Sequence, residues 1–125
     1  MTKSLPEFNQ ANVTVIGDIM LDHYLYGDVN RISPEAPVPV VNIKNEELLP
    51  GGAGNVAINL SAMGVNANIV GNVGNDNHAR QLRTQLESVD IHCAFNRSES
   101  GTIVKTRVMG SQQQLLRMDF EQLFG

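Results

Sequence analysis

Residues 50 to 64, Pro50-Gly51-Gly52-Ala53-Gly54-Asn55-Val56-Ala57-Ile58-Asn59-Leu60-Ser61-Ala62-Met63-Gly64, restrict the possible folds more than any other part of this chain. Pro50 ends an extended run, and the glycines that follow let the backbone turn sharply and approach a ligand without Cβ clashes. Val56, Leu60 and Met63 recur at helical spacing, which predicts an apolar helix stripe, and Gly64 stands where a helix ends on a left-handed residue. The glycines therefore sit at a helix N-terminus, where backbone N–H groups and the positive dipole end favour hydroxyl oxygens or anions.

The two strands and one helix around this loop need a core, and 125 residues with 42% hydrophobic content supply one modest core rather than two domains. A net charge of -4 and an aromatic content of 5% argue against a nucleic-acid surface, so any anionic ligand must be held by local cations. Cys93 is the only cysteine. It cannot form an internal disulfide, fits a reducing compartment and is expected to pack as a small apolar residue. Met1 to Gln10 is polar and contains Pro6, unlike a signal peptide, and no stretch is apolar for long enough to span a bilayer. The expectation is a cytoplasmic protein with no membrane and no nucleic-acid partner.

Val13-Thr14-Val15-Ile16 reads as a buried strand that delivers Asp18 and Asp22 at its C-terminal end, the end at which open α/β sheets bind ligands. Both aspartates are candidates for accepting sugar hydroxyls, with turn or cap residues as the plainer reading. From His23 to Leu49 the pattern changes to Tyr24, Tyr26 and then three prolines between Pro34 and Pro39, which predicts a small flap of two or three strands with an edge strand. Asn66 to Val73 predicts a second parallel-type strand. Asp76 is a plausible N-cap for a helix carrying Ala79, Leu82, Leu86 and Val89 inward, with Arg80 and Arg83 solvated. Asp90 to Phe95 reads as a third strand and Asn96 to Gly101 as a polar turn.

Residues 102 to 109 alternate, with Lys105 and Arg107 on one face and Val104, Thr106 and Val108 on the other. Gly110-Ser111 turns the chain into a hairpin partner that carries Leu116, Met118 and Phe120 on one side and Leu115, Arg117 and Asp119 on the other. The basic face is either solvated or a phosphate clamp. His23, His78, His92 and Cys93 have no metal-ligand spacing, and neither a nucleophile elbow nor a Walker loop occurs. Gly52-Ala53-Gly54-Asn55-Val56-Ala57 satisfies G-x-G-x-x-A with Asp76 downstream, so a dinucleotide-binding Rossmann-type domain is a rival reading. It is weakened because Asn45-Glu46-Glu47-Leu48-Leu49-Pro50, not a buried apolar strand, precedes the glycines.

Gly51-Gly52, Ala53, Asn55, Ala57, Gly64 and Gly74, at these separations, resemble the first signature of the ribokinase-type (PfkB) carbohydrate kinase family. The Gly17-Asp18-Ile19-Met20-Leu21-Asp22 start, the Arg31-to-Val40 segment and Gln113-Gln114-Leu115-Leu116-Arg117-Met118-Asp119-Phe120 resemble its heptose-phosphate kinases, which form half of a bifunctional kinase and adenylyltransferase of ADP-heptose synthesis. The resemblance implies an α/β fold, the N-terminal part of a ribokinase-like doubly wound sheet with a small β flap at about 23–49 and 102–120. It implies ATP-dependent phosphorylation, with Mg2+, of D-glycero-β-D-manno-heptose 7-phosphate at O1, and a homodimer through the flap.

Carried over by position, Asp22 and Asn55 bind sugar hydroxyls, Gly51 and Gly52 let the backbone approach the ring, and Asp18 adds a hydroxyl contact or orders the turn. Lys105, Arg107 and Arg117 are the candidates for the substrate's phosphate. Such kinases carry a second signature, Gly-Ala-Gly-Asp, with the catalytic base and an anion hole. No such run occurs in this sequence. The base is expected beyond Gly125, the ATP pocket is expected to be largely absent from this chain, and the chain alone is expected to be a sugar-binding half without activity. A non-catalytic interaction module using the flap is the remaining alternative.

Overall fold

The computed structural model describes residues 10–121. Its chain order is β1 (Asn12–Ile16), β2 (Ile19–Ile32), β3 (Pro39–Gly52), α1 (Ala53–Ala62), β4 (Asn66–Gly74), α2 (Asn77–Glu87), β5 (His92–Ser98), β6 (Ile103–Gly110) and β7 (Gln113–Phe120). These form two sheets. The first is parallel, in the order β1-β4-β5, and the second runs β3-β2-β6-β7.

The parallel sheet turns Ala67, Ile69, Val73 and Cys93 toward the helices, where they meet Ala57, Leu82 and Leu86 in one core. Ile19 and Leu21 from β2 and Val104 from β6 enter the same core, so the second sheet is rooted in the first. Each fully buried Ile or Leu contributes about 1.5–3 kcal/mol of transfer free energy. Gln85 adds a polar tie, its Nε2 donating to the Leu48 carbonyl of β3 at 2.8 Å.

Beyond this root, β2 and β3 continue as a long antiparallel hairpin, with the proline-rich residues 33–38 at its tip and β3 on the sheet edge. Edge placement suits Pro39 and Pro50, which have no N–H for a second neighbour. β6 and β7 close through Ser111 and Gln112, whose φ values of 50° and 63° match a two-residue hairpin turn one position later than the sequence suggested.

Several local expectations need correction. Pro50 does not end the extended run: β3 continues through Gly51 and Gly52, because both stay paired with Met20 and Ile19 of β2. Among the described strands β1 lies at the sheet edge and is not buried: Thr14 is exposed and Ile16 is 79% exposed. On α1 the buried face is Ala53, Gly54 and Ala57, while Val56 and Met63 are exposed. Close packing explains this, because a Cβ on Gly54 would stand 3.0 Å from the Pro50 Cβ, leaving that face room for small residues only. Val89 lies past α2 and is exposed. Finally, β5 extends to Ser98, through part of the expected polar turn, because Asn72↔Asn96, Val73↔Arg97 and Gly74↔Ser98 pair in parallel register and satisfy its backbone.

Arg83 also departs from a solvated side chain. Its guanidinium lies 5.0 Å from the Phe95 ring centroid and donates to Glu87 Oε1 and to the Cys93 carbonyl, both at 3.2 Å. Cys93 is buried as expected, and burial pushes its thiol pKa up to about 11, which leaves it protonated and unreactive at neutral pH. No described helix is long and apolar enough to cross a membrane.

Candidate sugar-phosphate site

The candidate residues are gathered by sheet register. β2 and β6 run parallel with Asp22 beside Lys105 and Tyr24 beside Arg107, and β7 sets Asp119 against Lys105 and Arg117 against Arg107. Paired residues share a face, so Asp22, Lys105, Arg107 and Arg117 all stand on the same side of the four-stranded sheet. Leu21, Val104 and Thr106 point to the opposite side and are buried.

Asp22 lies over Gly51. A Cβ at position 51 would fall 2.5 Å from Asp22 Oδ2 and 3.0 Å from Oδ1, so only glycine leaves the carboxylate where it is. Arg107 Nη1 donates to Asp22 Oδ1 at 3.2 Å, and the two side chains are 22% and 23% exposed. The Arg107 guanidinium also sits 5.3 Å from the Tyr24 ring centroid, and Tyr24 stacks on Tyr26. Arg117 has its own carboxylate, with Nη2 donating to Asp119 Oδ2 at 2.9 Å. Tyr24 and Asp119 were not singled out from the sequence, although strict alternation from Asp22 and Arg117 already puts them on this face.

The start of α1 follows directly on Gly51 and Gly52. Gly52 is the N-cap of α1 with φ 57° and ψ -131°, and no side chain caps the helix. Its first amide is not free, since Ala53 N donates to the Asp18 carbonyl at 2.9 Å. Asp18 thus orders the helix start through its backbone carbonyl, while the residue itself is exposed. Asn55 is exposed in the first turn of α1, three residues after Gly52.

Behind the site, His23 Nε2 and Glu46 Oε2 are 2.8 Å apart and Thr106 Oγ1 is 3.4 Å from His23 Nδ1, linking β2, β3 and β6. At the junction of the two sheets, the Asp76 carboxylate accepts from Ala79 N at 2.9 Å, Thr102 N at 2.9 Å and Thr102 Oγ1 at 2.7 Å. Burial opposes its charge, but the hydrogen bonds from Thr102 and Ala79 outweigh it and hold the Asp76 pKa below the usual carboxylate value. The N-cap expectation holds, and the tie to Thr102 adds a contact across 26 residues of sequence that no local pattern announces. Among the described residues, no group of three or more His, Cys, Asp or Glu gathers to hold a metal ion.

This face sets the Asp22 carboxylate among Lys105, Arg107 and Arg117, beside a helix start at which Gly51 is buried and Gly52 is exposed. Residues 10–120 match the model of the pfkB family carbohydrate kinases. The chain belongs to that family. It is 51% identical over 99% of its length to the Bifunctional protein HldE of Aliivibrio salmonicida, of which it covers 26%. It thus spans about a quarter of the length of the curated relatives it matches.

Solved carbohydrate kinases share the fold. One from Agrobacterium tumefaciens superimposes with a TM-score of 0.68 at 16% identity, covering 88% of this chain and 35% of that one. A ribokinase from Thermotoga maritima gives 0.65 at 20% identity, covering 88% of this chain and 36% of that one. The pfkB family chain is thus ribokinase-like in fold, and its glycines close an antiparallel strand, β3 on β2. A dinucleotide fold instead closes them off a parallel strand, so the Rossmann-type reading is set aside.

Proposed function

We propose that this chain is the sugar-binding part of an ATP-dependent kinase for D-glycero-β-D-manno-heptose 7-phosphate, phosphorylating O1 in the synthesis of ADP-heptose for lipopolysaccharide, in the cytoplasm. The observation that carries the reading is the Asp22 carboxylate lying over Gly51 and bonded to Arg107 at 3.2 Å, on the sheet face that also holds Lys105 and Arg117. Asp22 and Asn55 bind sugar hydroxyls, Gly51 gives the Asp22 carboxylate its room, the exposed Gly52 lets the backbone approach the ring, and Lys105, Arg107 and Arg117 hold the phosphate.

Residues 10–121 are assigned binding and orientation. No catalytic base and no step through ATP or Mg2+ is assigned to them, and the chain alone is expected not to turn over. Phosphoryl transfer rests on positioning both reactants and stabilising charge on the moving group, and this face supplies only the acceptor's share.

Thermal denaturation tests the reading. Heptose 7-phosphate should raise the melting midpoint of the wild-type chain, and Asp22→Ala or Asn55→Ala should each abolish the shift, since ligand stabilises by mass action only where it binds. Protection that persists in both variants, or protection by NADH instead, sinks it; protection by neither ligand favours an interaction module.

The flap is also proposed to pair with a second copy. Leu116, Met118 and Phe120 on the edge strand β7 are 54%, 38% and 60% exposed, an apolar row on an open edge. Light scattering after size exclusion should give twice the chain mass, and a monomer at micromolar concentration would count against pairing.

A further inference from the structure

We propose that the seam between α2 and β5 holds a second anion site, in which Arg80, Arg83 and Arg97 take a phosphoryl group, free or on a small ester. The site shares no residue with the Asp22–Arg107 face and stands whether or not the sugar-binding reading does.

Strand alternation shows where the seam changes character. Cys93 and Phe95 turn toward the helices and pack in or on the core, and Arg97 is next in that row, opposite Val73 of β4. The row calls for an apolar side chain at 97, which would extend the packing against α2. A guanidinium stands there instead, and α2 answers it with Arg80 and Arg83, three residues apart on one helix face. The seam therefore opens into a cleft lined by Val73, Phe95 and the three arginines.

Charge is unbalanced in this cleft. Arg80 donates through Nε to Asn77 Oδ1 at 3.1 Å, an acceptor without charge. Arg83 is held by Glu87 Oε1 and the Cys93 carbonyl and lies over the Phe95 ring, which fixes its guanidinium at the cleft wall. Among the described residues the Arg97 side chain has no hydrogen bond or ion pair. The one carboxylate among the described residues that line the cleft is that of Asp76, and it already accepts from Ala79 N, Thr102 N and Thr102 Oγ1. Three like charges drawn together repel, and a tetrahedral oxyanion between them accepts from more than one guanidinium at once. A phosphoryl group suits the cleft better than a carboxylate, because its oxygens point in more than one plane.

Amide proton–nitrogen correlation spectra of the chain, recorded as sodium phosphate is added and beside a sodium chloride series of matched ionic strength, test this. The backbone amides of Asn75, Asn77 and Ser98 should shift and saturate with phosphate, while amides of β2 and β6 report the Asp22–Arg107 face separately in the same spectra. Arg97→Gln and Arg80→Gln should each weaken saturation at the cleft by about 10-fold, the size of one charge-assisted hydrogen bond. Both residues are exposed, so neither change should lower the melting midpoint. Arg31→Gln, the same loss of charge on the flap, should leave the affinity of the cleft as it was. Methyl phosphate distinguishes the sources: equal saturation assigns the cleft to phosphate esters, and none assigns it to free phosphate. The proposal fails if these amides do not saturate, if chloride produces the same shifts, or if either cleft substitution leaves saturation unchanged. It also fails if heptose 7-phosphate displaces phosphate from these amides, since the cleft is then part of the sugar site.

Discussion

Asp76→Ala should lower the unfolding free energy by about 3–5 kcal/mol, the sum of a lost N-cap and of a buried hydroxyl and amide left without their acceptor. The carboxylate serves Ala79 N at the start of α2 and both donors of Thr102 at the start of β6. Thr102 is 4% exposed, and its Oγ1 in turn accepts from Gly74 N at 2.9 Å, so the alanine removes the acceptor of a hydroxyl that is itself buried and engaged. Urea denaturation at neutral pH reads the loss directly. A change under 1 kcal/mol would mean that the network contributes little.

The same group sets a pH dependence whose sign follows from its lowered pKa. A carboxyl depressed in the folded state contributes fully above its unfolded pKa, near 4, and loses that contribution as the pH falls through the folded value. The wild-type stability should therefore drop between pH 5 and pH 2 by more than that of Asp76→Asn, which keeps an acceptor oxygen but cannot titrate.

Gly51→Ala should cost at least about 100-fold in affinity for heptose 7-phosphate, or roughly 2.7 kcal/mol, while moving the melting midpoint little. The new Cβ would stand 2.5 Å from Asp22 Oδ2 and 2.8 Å from Cγ. What must yield is the end of a side chain, not the backbone, so the strand survives and the carboxylate swings off the site and away from Arg107. Gly52→Ala makes the contrasting control. Its Cβ would meet the Asp18 carbonyl oxygen at 2.6 Å, in a backbone conformation of φ 57° and ψ -131° that L-residues avoid. That variant should lose stability along with binding. Calorimetric titration of both variants beside their melting curves separates the two cases, and full affinity in Gly51→Ala would remove Asp22 from the site.

Local chemistry settled much of this protein. The helix that opens after Gly52, the Asp76 cap and the alternation that puts Lys105 and Arg107 together are properties of neighbouring residues, and each appears in the fold. Burial was legible only in part. Val56 and Met63 look like a core stripe by period alone, yet the side of α1 that packs was chosen by how closely Gly54 and Ala57 let it approach Pro50 and the sheet. β1 is apolar enough for a central strand, but its place at the sheet edge follows from strand order, which no single strand encodes.

The site shows the same division. Residue types and spacing named Asp22, Gly51 and Arg107 as candidates, since hydroxyl acceptors, close approach and anion binding are functions of particular side chains. Their meeting was decided by the parallel register of β2 on β6, which brings Arg107 Nη1 to Asp22 Oδ1 across 85 residues of sequence. Pairing across such separations depends on which apolar faces bury one another, here Leu21 and Val104 against the helices. That is a choice made by the folded whole, where the core fixes the register and the register brings the charges together.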